Sequence, residues 1–334
     1  MSASERAAAT EVPPGAPVAT RRLLPLLARL GDRYGTLVGF AAMVLLFCLL
    51  RPSTFATWDD LRSIVEQASP ILVLAVGLTL VLSTGHFDLS FPGILNLASA
   101  GAVLIMTEAH EGWAIAVLIG LAIGLVSGVI AGVGVASGRA SSFIITLALS
   151  TIWSGLAIGI SGARTITDVP TSYLNITFNT VLGIPNAVIV AFCVTLVMFS
   201  LMRWSAFGRY TQALGSNASA ARLAGIRVST TQVFAHVLFG LCAGIAAILL
   251  SSSSGQYTPS IGSGSLITPF VAVFFGTSVL AARRFNVFGT VVGTLFIGTL
   301  QTGMVVLEIA PWVSEVILGA ALILILVAVA KRSR

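Results

Sequence analysis

Residues Trp113–Ala136 read WAIAVLIGLAIGLVSGVIAGVGVA, an uncharged segment built from apolar side chains and glycine. A helix needs about 20 apolar residues to cross the hydrocarbon core of a bilayer, and this segment is long enough. A transmembrane β-barrel would instead show segments of about ten residues with alternating polarity, which this segment lacks. It therefore predicts a transmembrane α-helix.

The composition of the whole chain indicates the same class. Apolar residues make up 56% of the 334 positions and charged residues only 9%, whereas about a quarter of a soluble domain is charged. Glycine occurs 33 times, and small residues let helices approach closely in lipid. Because a helix satisfies its own backbone groups in hydrocarbon, we predict an all-α integral membrane protein.

About ten transmembrane helices result when the apolar segments are divided where Gly, Pro, Asn and Ser cluster. The predicted spans are Tyr34–Leu50, Ala68–Thr84, Leu89–Thr107, Trp113–Ala136, Phe143–Ser161, Asn186–Met202, Val233–Leu250, Leu266–Ala281, Val287–Val306 and Trp312–Ala330. An even number of spans places both termini on the same side of the membrane. Residues 34–330 are therefore predicted to form one transmembrane domain.

The distribution of basic residues orients these spans, because cytoplasmic loops of membrane proteins are enriched in Lys and Arg. With the N-terminus inside, all but three of the 18 Lys and Arg residues fall in cytoplasmic segments. Both termini are thus predicted to be cytoplasmic, with residues 1–33 forming a disordered basic tail and residues 331–334 a second basic tail. This topology explains the net charge of +6, so we predict no nucleic-acid partner.

Catalytic and metal-binding motifs are absent from the sequence. The single lysine, Lys331, follows no glycine-rich loop, so the phosphate-binding G-x-x-x-x-G-K-[ST] motif is missing. His86, His110 and His236 lack metal-ligand spacing, and the three cysteines form no C-x-x-C. The predicted spans are also nearly free of the carboxylates that commonly bind a driving ion, and their one carboxylate, Glu315, lies close to an outer end where it could reach water. We therefore predict a transport subunit with no catalytic residues, no metal and no cofactor, energised by a separate protein.

A polar insertion, His86-Phe87-Asp88-Leu89-Ser90, separates the second and third predicted spans. It lies within GLTLVLSTGHFDLSFPGILN and is followed by Pro92-Gly93, so the helix is expected to break here. Broken helices at membrane depth are tolerated where they line a cavity or are buried in protein. His86, Asp88 and Asn96 are therefore candidate residues of a substrate pathway. The alternative is a plain cytoplasmic turn in which Asp88 caps the next helix.

The cytoplasmic loop 203–232 is longer than the other inner connections. It holds a short alanine-rich stretch, predicted to be helical and flanked by Gly215 and Gly225. Small alanines permit close approach of another protein, and Arg209 and Arg222 offer charged contacts to it. A basic inner loop is expected in any membrane protein, so composition alone does not assign a partner.

Two motifs resemble those of bacterial sugar ABC permeases of the ribose, arabinose, xylose and galactoside type. The polar insertion is similar to their T-G-G-I-D-L-S-V-G, with matches at Gly85, Asp88, Leu89 and Ser90. The loop is similar to their F-G-R-x-x-x-A-x-G-x-N-x-x-A-A-R-L-x-G-I between Phe207 and Ile226. Its matched positions include Arg209, Gly215, Asn217, Ala221, Arg222 and Gly225. The similarity extends from about Thr54 to Ala330.

This resemblance implies the permease subunit of an importer for a sugar or sugar-like polyol in the bacterial inner membrane. In such systems the 203–232 segment is the coupling loop that docks on a separate ATPase, which carries ATP and Mg. A homodimer or a heterodimer with a similar chain and a periplasmic sugar-binding protein are further expected partners. The alternatives are a branched-chain amino acid ABC permease, which shares the helical plan, and an ion-coupled secondary transporter.

Overall fold

A computed structural model describes residues 36–52, 55, 57–279 and 284–332. The tail predicted over residues 1–33 lies outside this range, as do residues 333–334 and a few positions at the ends of predicted spans.

The described chain is almost entirely helical, which confirms the predicted all-α class. Its helices are α1 (Thr36–Leu50), α2 (Trp58–Ser83), α3 (Phe91–Thr107), α4 (Trp113–Ala136), α5 (Ser142–Ser161), α6 (Thr171–Phe178), α7 (Asn186–Trp204), α8 (Ala206–Ser216), α9 (Ala218–Leu223), α10 (Val228–Ser254), α11 (Thr268–Ser278), α12 (Val287–Val306) and α13 (Pro311–Arg332). A short hairpin of β1 (Thr180–Val181) and β2 (Ile184–Pro185) follows α6, and one 3-10 turn lies at Ser263–Ser265.

Each predicted span overlaps one of these helices. Six of them, α2, α4, α5, α7, α10 and α12, are long and apolar enough to cross a membrane, and α1, α3, α11 and the first part of α13 are shorter apolar helices. The chain thus has the helices of a multi-pass membrane protein.

The largest boundary error concerns α2, which begins at Trp58 and not at the predicted Ala68. Its first turn is charged, so a search for apolar runs overlooks it. Asp59 and Asp60 lie where a helix favours negative charge. The Thr57 hydroxyl also accepts a hydrogen bond from the Asp60 amide at 3.2 Å, which caps the helix.

The core of the bundle contains a close packing of α4 against α10, at a seam lined by glycines. A Cβ placed on Gly124 would lie 2.3 Å from the carbonyl oxygen of Gly240, and a Cβ on Gly240 would lie 2.3 Å from that of Gly124. A Cβ placed on Gly128 would likewise lie 2.5 Å from the carbonyl oxygen of His236. Side chains larger than hydrogen do not fit here, so the seam holds α10 at a fixed depth against α4.

The loop between α5 and α7 is anchored to the far end of α10 by hydroxyl groups. The Tyr173 hydroxyl lies 2.7 Å from the Ser251 oxygen, and the Ser252 hydroxyl donates to the Tyr173 carbonyl at 2.8 Å. These contacts fix α6 across one end of the bundle. The opposite end holds the polar insertion and α8.

Candidate functional site

The polar insertion forms a non-helical turn between α2 and α3, residues 84–90, which we call the α2–α3 turn. Gly85 adopts a left-handed conformation with φ of 83°, which a glycine reaches without strain. Asp88 is 1% exposed, and its Oδ1 accepts hydrogen bonds from the Ser90 amide at 2.8 Å and the Ser90 hydroxyl at 2.6 Å. Asp88 therefore braces the turn. Ser90, and not Asp88, is the N-cap residue of α3.

A row of hydroxyls on α5 supports this turn. Residues four apart lie on one face of a helix, and four such hydroxyls accept hydrogen bonds from the turn and from α3. The pairs are Ser142 with the Phe87 amide at 3.1 Å, Thr146 with the Leu89 amide at 2.9 Å, Ser150 with the Gly93 amide at 3.1 Å, and Ser154 with the Asn96 side chain at 3.2 Å. The row satisfies backbone donors that the break removes from helical pairing.

This row gives a stability prediction. Replacing Thr146 with valine removes the acceptor for the Leu89 amide and keeps the shape of the side chain. Because Thr146 is fully buried, the unpaired amide should cost about 1–3 kcal/mol in thermal unfolding in detergent. Thr151→Val is the control, since Thr151 is exposed and bonds only within its own helix. Equal losses in the two variants would contradict the supporting role of the row.

Asn96 joins three parts of the structure. Its Nδ2 donates to Ser154 on α5, and its Oδ1 accepts a hydrogen bond from the Gly262 amide at 2.8 Å. Gly262 packs closely against α3, since a Cβ there would lie 2.1 Å from the Pro92 carbonyl oxygen. In this conformation Asn96, which is 5% exposed, braces the start of α3. Its predicted pathway role stays a prediction.

A second polar group links the α2–α3 turn to α10. The Gln232 Nε2 donates to the His86 Nε2 at 2.6 Å, and the His236 Nδ1 donates to the Gln232 carbonyl at 2.8 Å. The His236 Nε2 lies 3.8 Å from Asp88 Oδ2. Burial lowers the pKa of the His86 imidazole, and the neighbouring His236 lowers that pKa further, which agrees with a ring that accepts from an amide.

Gln232 and His236 are functional candidates that the sequence interpretation missed. In the sequence, His236 is a candidate only for metal binding, and Gln232 marks only the end of the loop 203–232. The available signal was the spacing of Gln232 and His236, four residues apart, with no other polar side chain from Val233 to Leu250. Across the described part of the chain, no group of three His, Cys, Asp or Glu residues could hold a metal ion.

The predicted alanine-rich helix between Gly215 and Gly225 is confirmed as α9, and the loop 203–232 contains a further helix, α8, that the sequence analysis did not predict. Asn217 separates them, because its extended backbone ends α8 and its Oδ1 accepts a hydrogen bond from the Ala220 amide at 2.9 Å as the N-cap of α9. Gly215 lies inside α8, whereas Gly225 follows α9 with a left-handed φ of 81°. Ala221 is buried between Leu214 and Val228.

The α8 helix contacts the end of α2 directly. A Cβ on Gly215 would lie 2.3 Å from the carbonyl oxygen of Ser83 and 3.4 Å from the Gly85 amide nitrogen. The loop and the polar insertion, which the sequence presents as separate candidates more than a hundred residues apart, therefore form one site. We call this combination the turn–loop site; it comprises the α2–α3 turn, α8 and α9.

The outer surface of the turn–loop site is basic and partly apolar. Arg209 and Arg222 are exposed, and the sequence contains no acidic residue between 203 and 284. Leu223 is 91% exposed. A cavity of ≈ 390 Å³ follows the end of α9 and is lined in part by Phe207, Ala224 and Phe234. An exposed apolar side chain within a cationic rim is typical of a surface that binds another protein.

Comparisons with known proteins place the chain among membrane transport subunits. A family model described as the permease component of branched-chain amino acid transport systems matches residues 61–326. The ribose import permease protein RbsC of Bacillus subtilis (strain 168) is 31% identical over 304 residues, 90% of this chain and 94% of that protein. The L-arabinose transport system permease protein AraH of Escherichia coli (strain K12) is 32% identical over 297 residues, 88% and 89% of the two chains. The D-allose transport system permease protein AlsC of the same strain is 28% identical over 292 residues, 87% and 90%.

Proposed function

The chain belongs to the permease family of branched-chain amino acid transport systems, and on that basis we propose that it is the membrane subunit of an ATP-driven importer for a sugar or sugar-like polyol. The three relatives named above are permeases for ribose, L-arabinose and D-allose, which favours a sugar over an amino acid. The packing of α8 on the α2–α3 turn carries the proposal, because it offers a route from a soluble partner into the bundle.

The partner that we propose at α8 and α9 is a separate ATP-binding subunit, which would hold ATP and Mg. The chain has no phosphate-binding motif of its own, so the energy must come from elsewhere. Arg209 and Arg222 would pair with acidic groups of that subunit, and Leu223 would enter an apolar pocket on it. Alternating access then follows if nucleotide state shifts the permease between two conformations.

The proposed topology has about ten spans with both termini in the cytoplasm of a bacterium and the chain in its inner membrane. The arginine distribution supports this orientation, and the turn–loop site would face the cytoplasm. A periplasmic sugar-binding protein would dock on the opposite face, near α6. A second permease chain, identical or similar, would complete the pathway.

Two other transport classes make different predictions. A branched-chain amino acid permease would transport leucine or valine, and the family description alone allows it. An ion-coupled transporter would need a carboxylate at membrane depth, and Asp88, the buried carboxylate of the turn–loop site, is braced by Ser90. The similarity to sugar permeases over nine-tenths of the chain favours the sugar importer.

The experiment is uptake of radiolabelled pentoses, hexoses, polyols and branched-chain amino acids into vesicles holding this chain, its binding protein and its ATPase. We expect one sugar or a few related sugars to accumulate. Uptake of the amino acids alone would contradict the proposal.

Charge reversal at Arg222 tests the proposed ATPase contact. Because an exposed arginine would then repel an acidic surface, Arg222→Glu should lower co-purification of the ATPase and sugar uptake about tenfold. Arg139→Glu is the matched control, since Arg139 is also exposed but lies between α4 and α5. Full ATPase co-purification and uptake in the Arg222 variant would show that this arginine does not contribute to docking.

A further inference from the structure

Besides the hydroxyl row on α5, two further elements contact the α2–α3 turn. On one side, α8 contacts it through Gly215. On the other side, α10 contacts it through Gln232 and His236. A displacement of α8 toward the turn would therefore push the turn against α10. The contacts of Gln232 and His236 with the turn would then determine how far the turn moves.

His236 is the fixed side of this arrangement. Its side chain is fully buried, and its carbonyl oxygen would lie 2.5 Å from a Cβ on Gly128. Gly132 also packs against His236, since a Cβ there would lie 3.2 Å from the His236 Cβ. The close contact at the glycine seam thus prevents α10 from moving toward α4. The imidazole therefore keeps its position when the turn presses on it.

Asp88 is on the side that a displacement of α8 would reach, because it belongs to the turn that Gly215 contacts. Its Oδ1 is occupied by the two hydrogen bonds from Ser90, which leaves Oδ2 directed toward the His236 Nε2. The Nε2 atom is buried and has no hydrogen-bond partner among the described residues. A shift of the turn by about one ångström would bring the two atoms from 3.8 Å into hydrogen-bond distance.

We propose that His236 and Asp88 are a positioning pair that converts movement of α8 into movement of the α2–α3 turn and the start of α3. The proposal rests on the proposed ATP-driven import and deepens it. Neither residue needs to touch the sugar. The pair acts by tying the turn, which α8 displaces, to the rigid seam between α4 and α10, so that the displacement reaches the membrane-spanning part of α3.

The two ring nitrogens of His236 have separate roles, which permits a discriminating test. The Nδ1 donates within α10, to the Gln232 carbonyl, so Nε2 also donates only in a doubly protonated ring. A glutamine at this position places an amide donor near the Nε2 position and directs it at Asp88. An asparagine places its amide near the Nδ1 position and leaves Asp88 without a partner.

The experiment compares sugar transported per ATP hydrolysed in vesicles holding the full transporter complex. The variants are His236→Gln and His236→Asn, with Cys242→Ala, a change at another buried position of α10, as the control. We expect the glutamine and control variants to stay within twofold of wild type. In His236→Asn the amount of sugar transported per ATP hydrolysed should fall at least fivefold, while the rate of ATP hydrolysis stays within twofold of wild type.

A second pair of variants tests the same contact from the other side and covers the case in which a His236 variant does not assemble. Asp88→Asn keeps Oδ1 for Ser90 and offers an amide to His236, so its ratio should be preserved. In Asp88→Ala the amount of sugar transported per ATP hydrolysed should fall, as in His236→Asn. An unchanged ratio in His236→Asn and Asp88→Ala, or a parallel fall of transport and hydrolysis, would overturn the positioning role. Absence of ATP-dependent uptake in the wild type would instead overturn the proposed function, and this inference with it.

Discussion

Replacing Gly215 with alanine is expected to lower ATP-driven sugar uptake at least tenfold. The added methyl group would lie 2.3 Å from the Ser83 carbonyl oxygen. This atom belongs to the backbone at the end of α2, so it cannot rotate away as a flexible side chain would. Relief of the overlap requires α8 to move away from the α2–α3 turn, and the proposed route between the ATPase and the bundle is then interrupted.

A loss of helix propensity at position 215 would not explain lower uptake in the alanine variant. Alanine is a better helix former than glycine by about 1 kcal/mol, so α8 itself should become more stable. Gly39→Ala in α1 is the matched control, because the space around Gly39 is open within 4 Å and only the propensity gain remains. Initial uptake rates, normalised to the protein in the membrane, provide the measurement. Uptake within twofold of wild type in the Gly215 variant would show that the contact does not transmit motion.

Replacing Gly240 with leucine should destabilise the bundle more than any other single change considered in this protein. Its Cβ would lie 2.3 Å from the Gly124 carbonyl oxygen and 2.8 Å from the Gly128 Cα, so α10 and α4 must separate. Overpacking of this kind costs about 3 kcal/mol or more. The unfolding midpoint in detergent should therefore fall by about 6–12 °C, with lower accumulation in the membrane.

Gly155→Leu on α5 is the control for this substitution. Gly155 also lies in a long apolar helix, and no atom would meet a Cβ there within 4 Å. Its midpoint should change by no more than about 2 °C. If both leucine variants unfolded at the same temperature as wild type, the close approach of α4 and α10 at these glycines would be contradicted.

The helices could be predicted from the sequence where apolar residues define their ends. The spans Trp113–Ala136 and Val287–Val306 agree with α4 and α12 at both ends. The prediction was wrong where polar residues continue a helix, as in the acidic first turn of α2. The short helix α9 was predicted between Gly215 and Gly225, but α8 was missed, because its two glycines and the following Asn217 are typical of a loop.

The two parts of the turn–loop site were each recognised in the sequence, but their contact was not. Gly85 and Gly215 meet only because α2, α8 and α10 pack together, and no local pattern encodes a contact across such a separation. Gln232 and His236 were missed for a related reason. A role for these two polar residues can be inferred only when the partner across the bundle, His86 or Asp88, is known.

ATP-driven import is tested by separating the energy sources for uptake. Vesicles containing the chain, its ATPase and its binding protein are loaded with ATP, or given a proton or sodium gradient without ATP, and accumulation of the transported sugar is followed. An ATP-driven importer predicts accumulation with internal ATP and none with either gradient alone. Accumulation driven by a gradient in the absence of ATP and of the ATPase would show that the chain is an ion-coupled transporter and not part of an ATP-driven importer.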